Sequence, residues 1–384
     1  MTQQACNRRQ FSLASLALGA MAWAGGPAAR AQGEGRIVIG QSAALSGAAA
    51  QLGQQFQAGA QLAFAQVNAQ GGIGRRQIEL RSLDDGYEPE RCAENTRRFV
   101  SDEVLALFGY IGTPTSLAAL PLVTQAGLPF IAPFSGAMAL RKPFRRQVFH
   151  VRASYNDETE LIVNQLTHLG QTKIGVFHQN DSYGQAGLDG VTKALAARKL
   201  APVATSTVER NSDKVADAVA KLLAAKPEAI VQIGAYGACA AFIRAARKAG
   251  YGGGFYNVSF VGTEALAQAL GPQAAGVVVS QVMPSPYLTQ RPATREFLEA
   301  IKKGGDKVQP NYVSIEGYIA ARTLIEGLRL AHSGGKLTRE SLVTALEGIN
   351  SNVAGFPLRF TDYSHEGSGF VEMSMLTGDG RVRI

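Results

Sequence analysis

From Arg36 onward, short runs of β-branched residues alternate with longer segments of helical periodicity, and this alternation limits the possible folds more than any other feature of the chain. Ile37-Val38-Ile39-Gly40 reads as a strand and the alanine-rich stretch from Gln54 to Gln70 as a helix. Ile78 to Leu83, Pro89 to Ser101, Val104 to Phe108, Ser116 to Gln125 and Leu128 to Ile131 continue the series strand, helix, strand, helix, strand. Repeated units of this kind place their strands parallel and cover both faces of the sheet with helices. A second series begins after Arg152, with a helix from Asn156 to Leu169 and a strand at Ile174-Gly175-Val176-Phe177. Helices at 183–198, 212–224 and 238–249 then alternate with strands at 202–207, 229–233 and 255–261. Within 212–224, Val215, Val219, Leu222 and Leu223 recur at helical spacing as one buried stripe, and Asn211 or Ser212 is the expected N-cap.

The expected fold class is therefore α/β: two doubly wound parallel-sheet lobes joined by a hinge, with a ligand cleft between them. Met283-Pro284-Ser285-Pro286 reads as a stiff extended crossing, followed by helical patterns over Pro292 to Lys303 and Val313 to Ser333. If those helices return to the first unit, the chain crosses near 152, near 282 and again near Phe356-Pro357. The expected organisation is then an N-terminal lobe of 32–152 plus 283–356 and a C-terminal lobe of 153–282 plus 357–384. Three crossings make a hinge rather than a flexible linker, and no Pro/Ser-rich or low-complexity stretch interrupts them.

The N-terminal segment reads as an export signal: Arg8-Arg9, an apolar run from Leu13 to Trp23, and Ala29-Arg30-Ala31 as an A-x-A cleavage site. That run is short of the roughly 20 apolar residues a membrane span takes, so residues 1–31 are expected to be removed. Arg8-Arg9 followed by Phe11 resembles a twin-arginine signal, and both Tat and Sec export are open. Cys6 precedes the apolar run, which disfavours a lipid anchor, so the expected product is periplasmic, soluble and not membrane-spanning. Loss of Arg8, Arg9 and Arg30 leaves 35 of 38 basic residues against 30 acidic ones, lowering the net charge from +8 to about +5. With no block of like charge, nucleic-acid binding is not expected. Cys92 and Cys239 stand among helical alanines, where a buried thiol is a better reading than a disulfide. The five histidines have no metal-ligand spacing, so no metal and no cofactor is expected. G-x-S-x-G, P-loop and HExxH patterns are missing, and Gly72-Ile73-Gly74 does not follow a strand, which argues against an enzyme.

Several segments together resemble the periplasmic leucine/isoleucine/valine-binding proteins, the branched-chain type of substrate-binding protein for ABC importers. They are Ile39-Gly40 through Leu45-Ser46-Gly47; Asn68 through Gly71-Gly72-Ile73-Gly74; Asp84-Asp85; Gly109 through Thr113-Pro114-Thr115-Ser116; Pro133-Phe134-Ser135-Gly136; Tyr183-Gly184; and Gly250-Tyr251 leading to Gly262-Thr263-Glu264. The resemblance implies an amino-acid ligand held between two lobes and a membrane permease as partner.

Independently of that likeness, the 109–116 segment has a strand end, a small-residue turn, hydroxyls and a helix start. Free backbone N–H groups and the helix dipole favour an anion there, and Thr113, Thr115 or Ser116 adds a hydroxyl. The resemblance assigns Thr113 to the ligand carboxylate and the Phe134 carbonyl to the ammonium, and it places a further hydroxyl two positions on. Gly136 stands at that second position, so Ser135 is the alternative hydroxyl. It further implies Glu264 as the carboxylate pairing with the ammonium, and Tyr183 and Tyr236 as cleft tyrosines, with Tyr155 a weaker candidate. Leu52 replaces the family's aromatic residue before Gly53, which together with Gly136 keeps an amine-free aromatic or dicarboxylic acid open as the ligand. A ligand-sensing module for a receptor is a further alternative.

Overall fold

The computed structural model describes residues 35–304 and 308–384; the signal reading for 1–31 lies outside them. The first lobe carries β1 (Ile37–Ala43), α1 (Ala50–Ala69), β2 (Ile78–Asp84), α2 (Pro89–Ser101), β3 (Ala106–Phe108), α3 (Thr113–Ala126), β4 (Phe130–Ile131) and β5 (Val148–Phe149). The second follows with α4 (Tyr155–His168), β6 (Ile174–Gln179), α5 (Ser182–Ala196), β7 (Ala204–Val208), α6 (Ala216–Ala224), β8 (Ala229–Ile233), α7 (Tyr236–Lys248), β9 (Gly254–Asn257), α8 (Thr263–Leu270) and β10 (Val278–Gln281). The chain then runs through α9 (Pro292–Gly304), α10 (Tyr312–Ser333), α11 (Arg339–Glu347), a hairpin of β11 (Asn350–Val353) and β12 (Phe356–Arg359), and finally β13 (Glu372–Leu376) and β14 (Val382–Arg383). Helices α9 and α10 pack on α1.

The first sheet has strand order β2-β1-β3-β4-β5, all parallel. The second has order β14-β13-β10-β9-β8-β6-β7, with a parallel centre and β13 and β14 antiparallel at one edge. That edge makes the second sheet mixed, because the chain's end returns as a hairpin and not through a crossover helix. In each sheet the strand order reverses once, between β1 and β3 and between β6 and β8, and ligands of such sheets lie beyond the strand ends at that point. The helices that follow β3, β6 and β8 carry Thr113, Tyr183 and Tyr236 in their first turns.

Central strands such as β6 are buried along their whole length, as both-face coverage requires. Four local expectations change. Helix α6 begins at Ala216 with Val215 at its N-cap, because Asn211 holds a positive φ of 59° and spends its side chain on Glu88 and the Gly86 carbonyl of the first lobe. The predicted strand 255–261 ends at Asn257 and gives way to a 3-10 turn over Ser259–Val261, since the Ser259 N–H bonds the Glu158 carboxylate instead of a neighbouring strand. Helix α3 starts at Thr113, three residues earlier than its periodicity suggests, with Gly112 at the N-cap in a positive-φ conformation of 101°. Leu169 falls just past the end of α4 and is exposed. Cys92 and Cys239 are both buried and unpaired.

Candidate functional site

Helix α3 aims its N-terminus at the space between the lobes. A Cβ at Gly112 would lie 2.3 Å from the Tyr87 ring, so both the backbone angle and the crowding require glycine. Thr113 Oγ1 and Ser135 Oγ stand 2.7 Å apart, joining the α3 turn to the loop after β4, and both residues are fully buried. Ser135 Oγ also accepts from the Ala137 N–H at 3.2 Å. Thr115 turns back on the Ile111 carbonyl at 2.5 Å and serves its own helix. Ser116 Oγ, by contrast, is buried with no hydrogen-bond partner.

Tyr155 closes this hydroxyl group from the first crossing. A Ser154–Asp157 capping box fixes it in the first turn of α4. Its hydroxyl faces Thr113, has no partner at bonding distance, and is pushed up to about 12, mainly by burial. The Tyr155 ring also explains Gly136: a Cβ there would lie 2.6 Å from the ring and from the Tyr155 backbone nitrogen. Three hydroxyls and the first N–H groups of a helix thus converge on one buried spot, an arrangement suited to a carboxylate.

The second lobe covers that spot with aromatic rings. Asp181 accepts from the N–H groups of Tyr183 and Gly184, setting Tyr183 at the start of α5. The Tyr183 ring lies 5.4 Å from Tyr155 and 4.5 Å from Phe260, and Phe260 in turn lies 5.6 Å from Phe134 and 5.8 Å from Tyr87. The structure therefore gathers Thr113, Phe134, Ser135, Gly136 and Tyr183 with Tyr155, Tyr87 and Phe260.

Tyr236 and Glu264 make their contacts elsewhere. Tyr236 is the first residue of α7 and is half-buried. Glu264 lies in the first turn of α8, where its Oε1 accepts from the Tyr287 hydroxyl at 2.7 Å and the Tyr312 N–H at 3.2 Å. Its Oε2 is buried without a partner, and burial raises the carboxyl to about 7 against those two donors.

The periplasmic binding protein family model matches residues 36–379. The chain belongs to the periplasmic binding protein family. Its type within the family is that of the leucine/isoleucine/valine-binding proteins. A solved structure described as a possible leucine/isoleucine/valine-binding protein from Rhodopirellula baltica is 35% identical, with a TM-score of 0.87 over 91% of this chain and 96% of that one. An amino acid binding protein from Pseudomonas aeruginosa is 26% identical over 74% of this chain and 78% of its own length. A fatty acid ABC transporter substrate-binding protein from Thermomonospora curvata, at 22% identity and a TM-score of 0.82 over 91% of this chain and 90% of that one, shares the fold.

Behind this periplasmic binding protein's cleft lies a hinge network that sequence reasoning did not find. Arg152, in the first crossing, makes a bidentate pair with Glu316 of α10 at 2.7 and 2.9 Å and lies 4.0 Å over the Phe134 ring. Burial opposes the Arg152 charge, and Glu316 more than offsets this, so its pKa stays above the ordinary value. Arg141 donates to the Arg152 and Ala153 carbonyls, each at 3.0 Å. The backbone at His150 also pairs with the segment after β12, His150 N–H to the His365 carbonyl and Gly367 N–H to the His150 carbonyl, both 2.8 Å. Arg152 and Glu316 are 164 residues apart in the chain, and neither lies in a recognisable motif. Among the described residues no helix is long and apolar enough to cross a membrane.

Proposed function

We propose that this protein binds a free α-amino acid, branched-chain or related, between its lobes and delivers it to the membrane permease of an ABC importer, without chemical turnover. The observation that carries this reading is the buried group of Thr113, Ser135 and Tyr155 at the N-terminus of α3, in which the Tyr155 hydroxyl has no partner, as Ser116 Oγ in the first turn of the same helix has none. An unpartnered buried hydroxyl is costly, and a carboxylate supplies the missing acceptor. The buried, unpartnered Oε2 of Glu264 supports an ammonium at the same ligand's other end. The Phe134 carbonyl, Gly136 N–H, Tyr183 and Tyr236 complete the proposed contacts. Because these groups come from both lobes, a ligand touches all of them only in the closed state and so shifts the population toward it. The lobes are taken as 32–152 plus 283–356 and 153–282 plus 357–384, and the working compartment as the periplasm, reached through the segment 1–31.

A second reading, an amine-free carboxylic acid, draws support from one observation: Glu264 already has two donors on Oε1 and a carboxyl raised to about 7, so near neutrality it can stand protonated without a cation. The test is titration calorimetry of ligand-stripped protein with the L-amino acids, run beside a Thr113→Val/Ser135→Ala variant. Binding by the parent and its loss in the variant is the expected outcome. Equal binding by both removes the hydroxyl group from the site, and silence in the parent removes the amino-acid reading.

A further inference from the structure

The rings between the lobes are not equivalent, because one crosses the cleft. Phe260 belongs to the second lobe, and its fully buried side chain lies against Tyr87 and Phe134 of the first lobe as well as Tyr183 of its own. Its backbone is held from behind by a buried carboxylate. Glu158 of α4 accepts from the Ser259 N–H at 2.7 Å and the Ser259 hydroxyl at 3.0 Å, and also from the Ser280 hydroxyl at 2.6 Å. After Val261 the chain turns at Gly262, with φ of 77°, directly into α8 and Glu264. The opposing ring is equally fixed: Phe134 is backed by Phe56 at 5.6 Å and covered by Arg152 at 4.0 Å. Phe260 is thus a rigidly mounted wedge, facing a rigid wall whose next residue, Ser135, carries one of the two bonded hydroxyls.

We infer that Phe260 determines ligand specificity by setting the length of side chain the closed cleft accepts; this rests on the cleft reading proposed above. A ligand whose carboxylate is held at Thr113 and Ser135 meets Phe134, Tyr87, Tyr183 and Phe260 with its side chain, four rings whose nearest charged group is Arg152 over Phe134. Among them Phe260 is the ring that lies against the other three. The class that fits is an amino acid with an apolar side chain, whose permitted bulk depends on the residue at 260.

The experiment measures dissociation constants of ligand-stripped protein for L-alanine, L-leucine, L-phenylalanine and L-tryptophan, in the parent and in Phe260→Ala, Phe260→Leu and Phe260→Trp. Thermal melts identify the folded variants. Shortening the side chain is expected to move the ratio of affinities, large ligand over small, by on the order of tenfold toward the larger ligands, and lengthening it to tryptophan moves the ratio the other way. A purely structural role weakens all four ligands by one common factor, so an unchanged ratio in the folded variants overturns the inference. Phe260→Leu keeps the test decisive if the alanine variant unfolds. A parent protein silent to all four ligands removes the cleft reading, and this inference with it, whereas a parent that binds and a ratio that does not move overturns the inference alone.

Discussion

The hinge and the mouth of the cleft are built from opposite materials. At the hinge, the Arg152–Glu316 pair is buried, bidentate and stacked on Phe134, and Arg141 ties the same crossing down through two backbone carbonyls. At the mouth, contacts across the gap are polar and partly exposed. Arg210 reaches Glu88 at 2.9 Å, Asn211 reaches Glu88 at 2.7 Å, and Gln51 reaches Gln268 at 3.2 Å. A buried charge pair resists separation because each partner would be left desolvated and alone, while exposed pairs exchange readily with water. The contrast fits a molecule that opens at the mouth about a fixed hinge, and it orders the expected effects of mutation.

The largest effect is expected at the hinge. Replacing Arg152 with alanine leaves Glu316 buried without its counterion and should cost about 3–5 kcal/mol of stability, read by urea unfolding. A combined Arg152→Met/Glu316→Leu variant should lose less than either single change, and additive losses would show that the pair is not coupled. Next comes the hydroxyl group. Thr113→Val should leave folding intact and weaken ligand binding by about 1.5–3 kcal/mol, roughly 10- to 150-fold, if the ligand brings a carboxylate.

Glu264 makes an intermediate, pH-dependent contribution. Burial raises its folded pKa to about 7, above the ordinary value of 4.5, so the folded state holds this proton more tightly than the unfolded chain. The stabilisation is complete at pH below the ordinary value and is lost as pH rises through about 7. The urea midpoint of ligand-free protein should therefore fall across that window, and Glu264→Gln should remove this part of the slope. The smallest effect belongs to the mouth. Arg210→Ala should change stability by less than about 1 kcal/mol while speeding ligand release, and high salt should reproduce it in the parent protein. If instead Arg210→Ala destabilises as much as Arg152→Ala, the contrast between hinge and mouth is wrong.

Much of this was legible in the chain. Alternating short β-branched runs and alanine-rich helices led to two doubly wound lobes because local periodicity reports burial directly. Thr113, Thr115 and Ser116 stood out together because hydroxyls next to a strand end and a helix start are local features, and the resemblance to the leucine/isoleucine/valine-binding proteins then pointed to Thr113 and to Ser135. What escaped depends on contacts between distant segments. Phe260 read as part of a strand, since nothing near it reveals that Glu158, about a hundred residues earlier, would take the Ser259 N–H. Asn211 read as an N-cap for the same reason: its better partners lie on the opposite lobe. Arg152 and Glu316 are ordinary charged residues until the second crossing brings α10 back against the first.

The central claim is that the cleft takes an α-amino acid with its carboxylate at Thr113 and Ser135 and its ammonium toward Glu264. Its most direct test is titration calorimetry of ligand-stripped protein with matched pairs differing only in the amine: L-leucine against 4-methylpentanoate, and L-phenylalanine against 3-phenylpropanoate. The account predicts that in at least one pair the amine-bearing member binds and its partner is weaker by about 1.5–3 kcal/mol or more, the range for a hydrogen bond to a charged group. Equal or tighter binding of the amine-free member would contradict it and leave Glu264 as a protonated hinge-side group rather than a ligand partner.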